Sequence, residues 1–210
     1  MSGDVHVRFC ERLRGRFPRP TRRLVHCHSE AQAQQMLTVL THRFEACGLE
    51  LHPDKTKIVY CKDGGRRGQY ENTTFDFLGY TFRRRLCKNR QRSSLFLNFT
   101  PAVSKVSLKA MRLQIRKLRV RMRTELSIEE IAHWLNPKIA GWIAYYGCYT
   151  RSALYAMCRH VNKALVRWAR RKYKSLRRHK TRAALFLEGI AEREPTLFAH
   201  WKLGMVGAFA

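Results

Sequence analysis

The chain has 210 residues, 45% of them hydrophobic and 11% aromatic, which supports a packed core and excludes wholesale disorder. Forty-two Lys and Arg face fifteen Asp and Glu, a formal net charge of +27, so a polyanionic partner is expected, nucleic acid before membrane. No run reaches the roughly 18 apolar residues of a spanning helix, and MSGDVHVRFCERL lacks the apolar centre of a signal peptide.

Seven cysteines, at 10, 27, 47, 61, 87, 148 and 158, form no C-x-x-C pair. Neither a disulfide framework nor a zinc site is expected, and the thiols read as reduced in a cytoplasmic protein. His26 and His28 flank Cys27, but strand alternation puts the histidines on one face and the cysteine on the other. That arrangement argues against a metal site.

Residues 1–23 carry many arginines and no apolar period, and are expected to be a disordered basic arm. Leu24 to Cys27 reads as a short strand. Ser29 and Gln32 make a capping-box signature, and Ala33, Met36, Leu37, Leu40 and Phe44 follow at helical spacing until Gly48. LEL (49–51), HPD (52–54) and KIVY (57–60) read as strand, turn and strand. A polar glycine-rich loop then leads to FDFLGYTF (75–82), a strand with apolar groups on both faces. RRRLCKNRQRS (83–93) is expected to be a basic turn, and LFLNF (95–99) the returning strand.

After Pro101 the pattern becomes helical. Behind Ser104 as N-cap, Leu108, Met111, Ile115, Leu118 and Met122 form an apolar stripe. Lys105, Lys109, Arg112, Arg116, Arg119 and Arg123 repeat at the same steps without an intervening acid. Solvated helix faces ordinarily mix signs, so this one points to phosphate. Ser127 and Glu130 form a second capping box. Asn136-Pro137 is expected to restart the helix, with Asn136 as cap. Gly141 suggests close approach by a neighbouring element, and of Trp142 and Tyr145 one is expected to stack on a base.

From Ser152 another helix buries Leu154, Met157, Val161, Leu165 and Trp168. Its tail, RWARRKYKSLRRHKTR (167–182), interleaves aromatics with Arg167, Arg170, Arg171, Lys172 and Lys174, a composition suited to RNA. A last helix spans about 183–193, and LFAHWKLG (197–204) reads as an apolar docking segment.

LVHCHSEAQAQ, GLELHPDKTKIVYCKD (48–63), FDFLGYTF (75–82), LNPKIAGWIAYYG (135–147) and FAHWKLG (198–204) occur in that order from about Leu24 to Gly204. Together they resemble the C-terminal portion of group II intron-encoded reverse transcriptase/maturases. The resemblance implies an α+β chain: a small truncated palm piece (24–100), a helical maturase thumb (101–180), and a C-terminal helix with docking segment (181–210). It implies that Lys55 or Lys57 corresponds to a nucleotide-proximal lysine, and that Phe77, Leu78, Gly79 and Tyr80 correspond to the primer grip. It implies group II intron RNA as partner. No zinc-containing endonuclease is expected, because suitable Cys/His spacing is absent.

In that family an aromatic-Ala-Asp-Asp turn precedes the strand leading into VHCHSE. Two-metal polymerisation needs those acids, because Mg²⁺ is a hard cation that prefers carboxylate and phosphate oxygen. Here Arg22 and Arg23 stand at the two positions, and Asp4, Asp54, Asp63 and Asp76 are never adjacent. Guanidinium groups repel a metal ion. The expectation is therefore an RNA-binding maturase fragment with no catalytic residue and no metal or cofactor of its own. Mg²⁺ enters only with the intron RNA or a complete polymerase. A truncation or frameshift upstream of Leu24 would account for residues 1–23. Two other readings stay open: half of a split polymerase completed by a separate fingers-palm polypeptide, and a degenerate mobile-element remnant.

Overall fold

In the computed structural model of the chain, the described residues are 5–12, 22–53, 55–65, 68–89 and 94–205, with 5–12, 22 and 23 described by backbone alone. The chain divides into two units, Met1–Pro101 and Ala102–Ala210. The first is mixed strand and helix and the second helical, so the protein is α+β.

The first unit opens on strand β1 (Val5–Arg12), which pairs antiparallel with β2 (Arg22–Cys27) from Val5↔Cys27 to Cys10↔Arg22. Part of the expected disordered arm is thus a strand. Val5, Val7 and Phe9 alternate with His6 and Arg8 at a strand period, a short signal masked by the arginine-rich sequence that follows, and cross-strand pairing completes the strand. The rest of that arm, residues 1–4 and 13–21, lies outside the described residues.

Helix α1 (Glu30–Ala46) begins where Ser29 Oγ accepts from Gln32 N at 3.2 Å. The Gln32 side chain accepts from His28 N at 2.7 Å rather than from the cap itself. Gly48, at φ +68, takes the left-handed turn that closes the helix. Ala33 and Cys27 are the buried centre of this unit, with Val25, Met36, Leu37, Leu40, Leu51, Ile58 and Tyr60 packed around them.

β3 (Glu50–Leu51) and β4 (Lys57–Tyr60) do not form the simple hairpin that strand, turn and strand suggest. Both pair antiparallel with β1, as Glu11↔Leu51 and Arg12↔Glu50, and from Val5↔Tyr60 to Arg8↔Lys57.

FDFLGYTF is two strands rather than one. β5 (Phe75–Phe77) and β6 (Tyr80–Lys88) are joined by Leu78 and Gly79, both at positive φ (48 and 82). Two left-handed residues in a row fit a two-residue hairpin turn that matches strand twist, a demand hidden behind an apolar run. Phe75 stacks on its partner Phe82 with ring centroids 4.7 Å apart, and the Thr81 hydroxyl donates to Asp76. β6 continues through Arg83, Arg84 and Arg85, which replaces the expected basic turn with strand as far as Lys88. Arg85 is held in place by donating to the carbonyls of Thr100 and Thr81, both at 3.3 Å. β7 (Leu95–Val103) completes the second sheet in the order β5-β6-β7.

In the second unit, helix α2 (Lys105–Lys117) starts at Ser104, whose Oγ accepts from Ser107 N at 3.0 Å. The helix stops sooner than its apolar spacing suggests. Arg119 adopts the left-handed conformation (φ 49), and a 3-10 turn, Val120–Met122, follows. Met122 is consequently 44% exposed instead of belonging to the core stripe.

Helix α3 (Ile128–Tyr146) begins with a complete capping box between Ser127 and Glu130. It runs unbroken through Asn136-Pro137, correcting the expected restart. Proline deletes one backbone donor, but Leu135 and Ile139 on either side are fully buried and hold the helix together. Asn136 does not cap; its Nδ2 donates to Leu197 O at 2.8 Å and its Oδ1 accepts from Ala199 N at 2.9 Å. Gly141 meets no neighbouring element, since a Cβ there would find nothing within 4 Å.

After a 3-10 turn (Arg151–Leu154), helix α4 (Tyr155–Lys172) runs through the core. Met157, Val161, Leu165 and Trp168 are all fully buried. Helix α5 (Lys180–Arg193) adds Ala183, Ala184, Leu187 and Ala191, and the tail adds Phe198, Trp201 and Met205. Among the described residues, no helix is long and apolar enough to cross a membrane. No disulfide links the described cysteines.

Candidate nucleic-acid interface

One turn of helix separates Lys105, Lys109, Arg112 and Arg116, so they share one side of α2. Lys105, Lys109 and Arg116 are exposed, whereas Arg112 is half-buried and its Nε donates to Leu108 O at 3.1 Å. Because α2 ends at Lys117, Arg119 and Arg123 leave that face. The left-handed bend at Arg119 redirects the chain and turns the basic stripe towards α4.

There the fold builds a cleft of about 330 Å³. Arg116, Arg119 and Arg121 reach it from α2 and the following turn, and Arg167 from α4. Ile115, Val120 and Ala164 form its apolar lining, with Ile115 and Val120 almost wholly buried. His160 completes the wall. Among the described residues, none of the four arginines is paired with a carboxylate. Burial holds the His160 imidazole below the usual histidine range, and Arg116, Arg167, Arg112 and Lys163 push it further in the same direction. The site therefore carries a concentrated, uncompensated positive field around a neutral ring.

Sequence reasoning singled out Arg116, Arg119 and Arg167 but missed Arg121 and His160. A signal for His160 was present: His160, Lys163 and Arg167 recur at helical spacing along α4, beside the apolar seam.

Other expected contacts are engaged by the protein itself. Arg123 lies 3.6 Å from a Glu125 carboxylate oxygen and 5.7 Å from the Trp134 ring centroid. Arg170 donates through Nε and Nη2 to Arg177 O, at 3.3 and 3.1 Å, and fastens the turn after α4. Lys172 donates to Leu126 O and sits 5.4 Å from the Trp168 ring centroid. Trp168 in turn donates to Arg123 O at 2.8 Å. Arg171 and Lys174 remain exposed.

Of the two aromatic candidates, Trp142 is half-buried against the core, and Tyr145 is 49% exposed with its ring edge-on to Tyr146. In the first unit, Phe77, Leu78, Gly79 and Tyr80 surround the β5–β6 turn, with Leu78 exposed and Tyr80 buried. Lys55 lies in the turn before β4 and Lys57 begins that strand; both are exposed. Arg22 and Arg23 stand on β2 opposite Cys10 and Phe9. Among the described residues, no three His, Cys, Asp or Glu gather where they could hold a metal ion, and Asp76 is bonded to Thr81.

No curated protein and no solved structure matches the chain. The model of the group II intron, maturase-specific domain matches residues 108–186, from the first turn of α2 into α5, a span that includes the arginine cleft. Most of the helical unit thus matches the maturase-specific domain of group II introns, which supports a likeness to the C-terminal portion of a group II intron maturase.

Proposed function

We propose that this chain binds group II intron RNA directly and helps it fold and splice, without polymerising DNA itself. The observation that carries the reading is the convergence of Arg116, Arg119, Arg121 and Arg167 on one cleft of a maturase-specific domain. The intron ribozyme performs its own transesterification, so the protein has only to hold an active RNA shape. Exposed Lys105, Lys109, Arg171 and Lys174 supply phosphate contacts around the cleft, and Tyr145 offers a ring to an unstacked base. Mg²⁺ belongs to the RNA in this reading.

Filter binding of the full chain to a group II intron RNA across a salt series tests it. With about six phosphates neutralised, log affinity falls against log salt with a slope of about −4 to −5. A flat response removes the proposal. Primer extension with the purified chain, expected to yield no product, tests the second half, since Arg22 and Arg23 replace the acids that metal-dependent polymerisation needs.

One observation favours a partner protein. Leu86, Leu95 and Phe96 on β6 and β7 are exposed, at 62%, 63% and 45%. A separate fingers-palm polypeptide would cover such a surface. Primer extension that appears only when that polypeptide is added would support a split polymerase.

A further inference from the structure

We infer that the cleft between α2 and α4 captures a single extruded nucleotide of the RNA, its phosphate on the arginines and its base on the apolar floor. The inference rests on the RNA-binding reading and specifies what this one site takes. A surface that only neutralises backbone phosphates needs exposed cations and no cavity, as Lys105 and Lys109 illustrate. This site has depth. Its volume of about 330 Å³ exceeds the needs of a bare phosphate and lies at the lower end of small-molecule pockets.

The lining is divided in the way a nucleotide requires. Arg116, Arg119, Arg121 and Arg167 present planar, multidentate donors suited to phosphate oxygens, and a guanidinium plane can also stack on a base. Ile115 and Val120, almost wholly buried, back the cleft, so the apolar surface open to the ring is Ala164 with the methylene stems of the arginines, and the neutral His160 imidazole offers an edge that can donate or accept. Duplex RNA would not reach such a floor; a base splayed from a loop or bulge would.

Backbone strain points to the same place. Arg119 holds a left-handed conformation that L side chains rarely adopt, at the rim of the cleft. Glycine would satisfy that turn more easily. An arginine kept in such a conformation fits a ligand clamp.

The test uses the full chain and three probes: group II intron RNA, AMP and inorganic phosphate. AMP is expected to bind about tenfold more tightly than inorganic phosphate, the scale of one stacked base. Ala164→Met keeps every charge and fills the floor. It should erase that margin and weaken RNA binding about fivefold with the salt slope unchanged. Arg119→Gly relieves the backbone while deleting a cation, so it should raise the melting temperature, lower RNA affinity and reduce the salt slope by about 1. Equal affinity for AMP and phosphate overturns the inference, as does an Ala164→Met chain that binds both AMP and RNA normally. Either result leaves the RNA reading standing if the unsubstituted chain keeps its steep salt slope. A flat slope in that chain overturns both.

Discussion

His200 Nε2 donates to Asn162 Oδ1 at 2.6 Å inside the helical core, where both side chains are fully buried. Trp201 Nε1 donates to the same oxygen at 3.2 Å, and Asn162 Nδ2 donates to Met205 O at 3.2 Å. Asn162 thereby joins α4 to the tail. Burial lowers the His200 pKa to about 3, so the ring is neutral in the folded protein. The unfolded chain takes up a proton below about pH 6.5 that the folded one refuses until about pH 3. Stability is therefore full above about pH 6.5 and declines as pH falls, by up to about 1.4 kcal/mol per unit. Urea unfolding from about pH 7 down to about pH 5 should record the decline, and His200→Gln should flatten it. Equal stability at both ends contradicts the assignment.

Asn136 makes the other tie to the tail, through both atoms of its amide. Asn136→Ala should cost about 2 kcal/mol, because a backbone donor and an acceptor lose their partners together. Asn136→Asp keeps the acceptor for Ala199 N, loses the donor to Leu197 O, and should fall between. Denaturant midpoints at constant m value would measure both.

Three glycines separate helix propensity from packing. Gly141 and Gly189 lie in helices with open space where a Cβ would stand. Alanine at either should raise stability by about 0.5–1 kcal/mol. At Gly147 a Cβ would stand 2.4 Å from Ile143 O, so Gly147→Ala should lower it. Calorimetric melting of the three variants would show opposite signs.

Neighbouring cations at the end of α4 should behave differently on substitution. Lys172→Ala removes the bond to Leu126 O and the contact with Trp168, and should reduce stability by about 1 kcal/mol. Arg171→Gln, at an exposed position, should leave melting unchanged and lower the salt slope of RNA binding by about 1. Paired melting and filter-binding measurements distinguish the two roles.

The helical unit was largely legible in the sequence because caps and apolar spacing are local signals. Ser104, Ser127 and the seam through Leu154, Met157, Val161, Leu165 and Trp168 behave as their pattern implies. What escaped was set by distant partners. Asn136 looks like a cap until Leu197 and Ala199 claim its amide. The end of α2 depends on a left-handed arginine that no residue preference announces, and that bend creates the cleft. Likewise, the Leu78-Gly79 turn hides inside an apolar run, and the short alternation of β1 is masked by the arginine-rich sequence that follows it. The basic stripe was readable as charge. Its division into cations bound by the fold and cations left for a ligand needed three dimensions.

The matched domain stops at residue 186, but Phe198, Trp201 and Met205 fill the same core. A protein trimmed to the recognisable stretch would present to solvent the faces that these three residues cover. During synthesis, too, the interior can close only once the final turn has left the ribosome. A message interrupted just short of codon 198 would thus encode every arginine and none of the finished surface that aligns them.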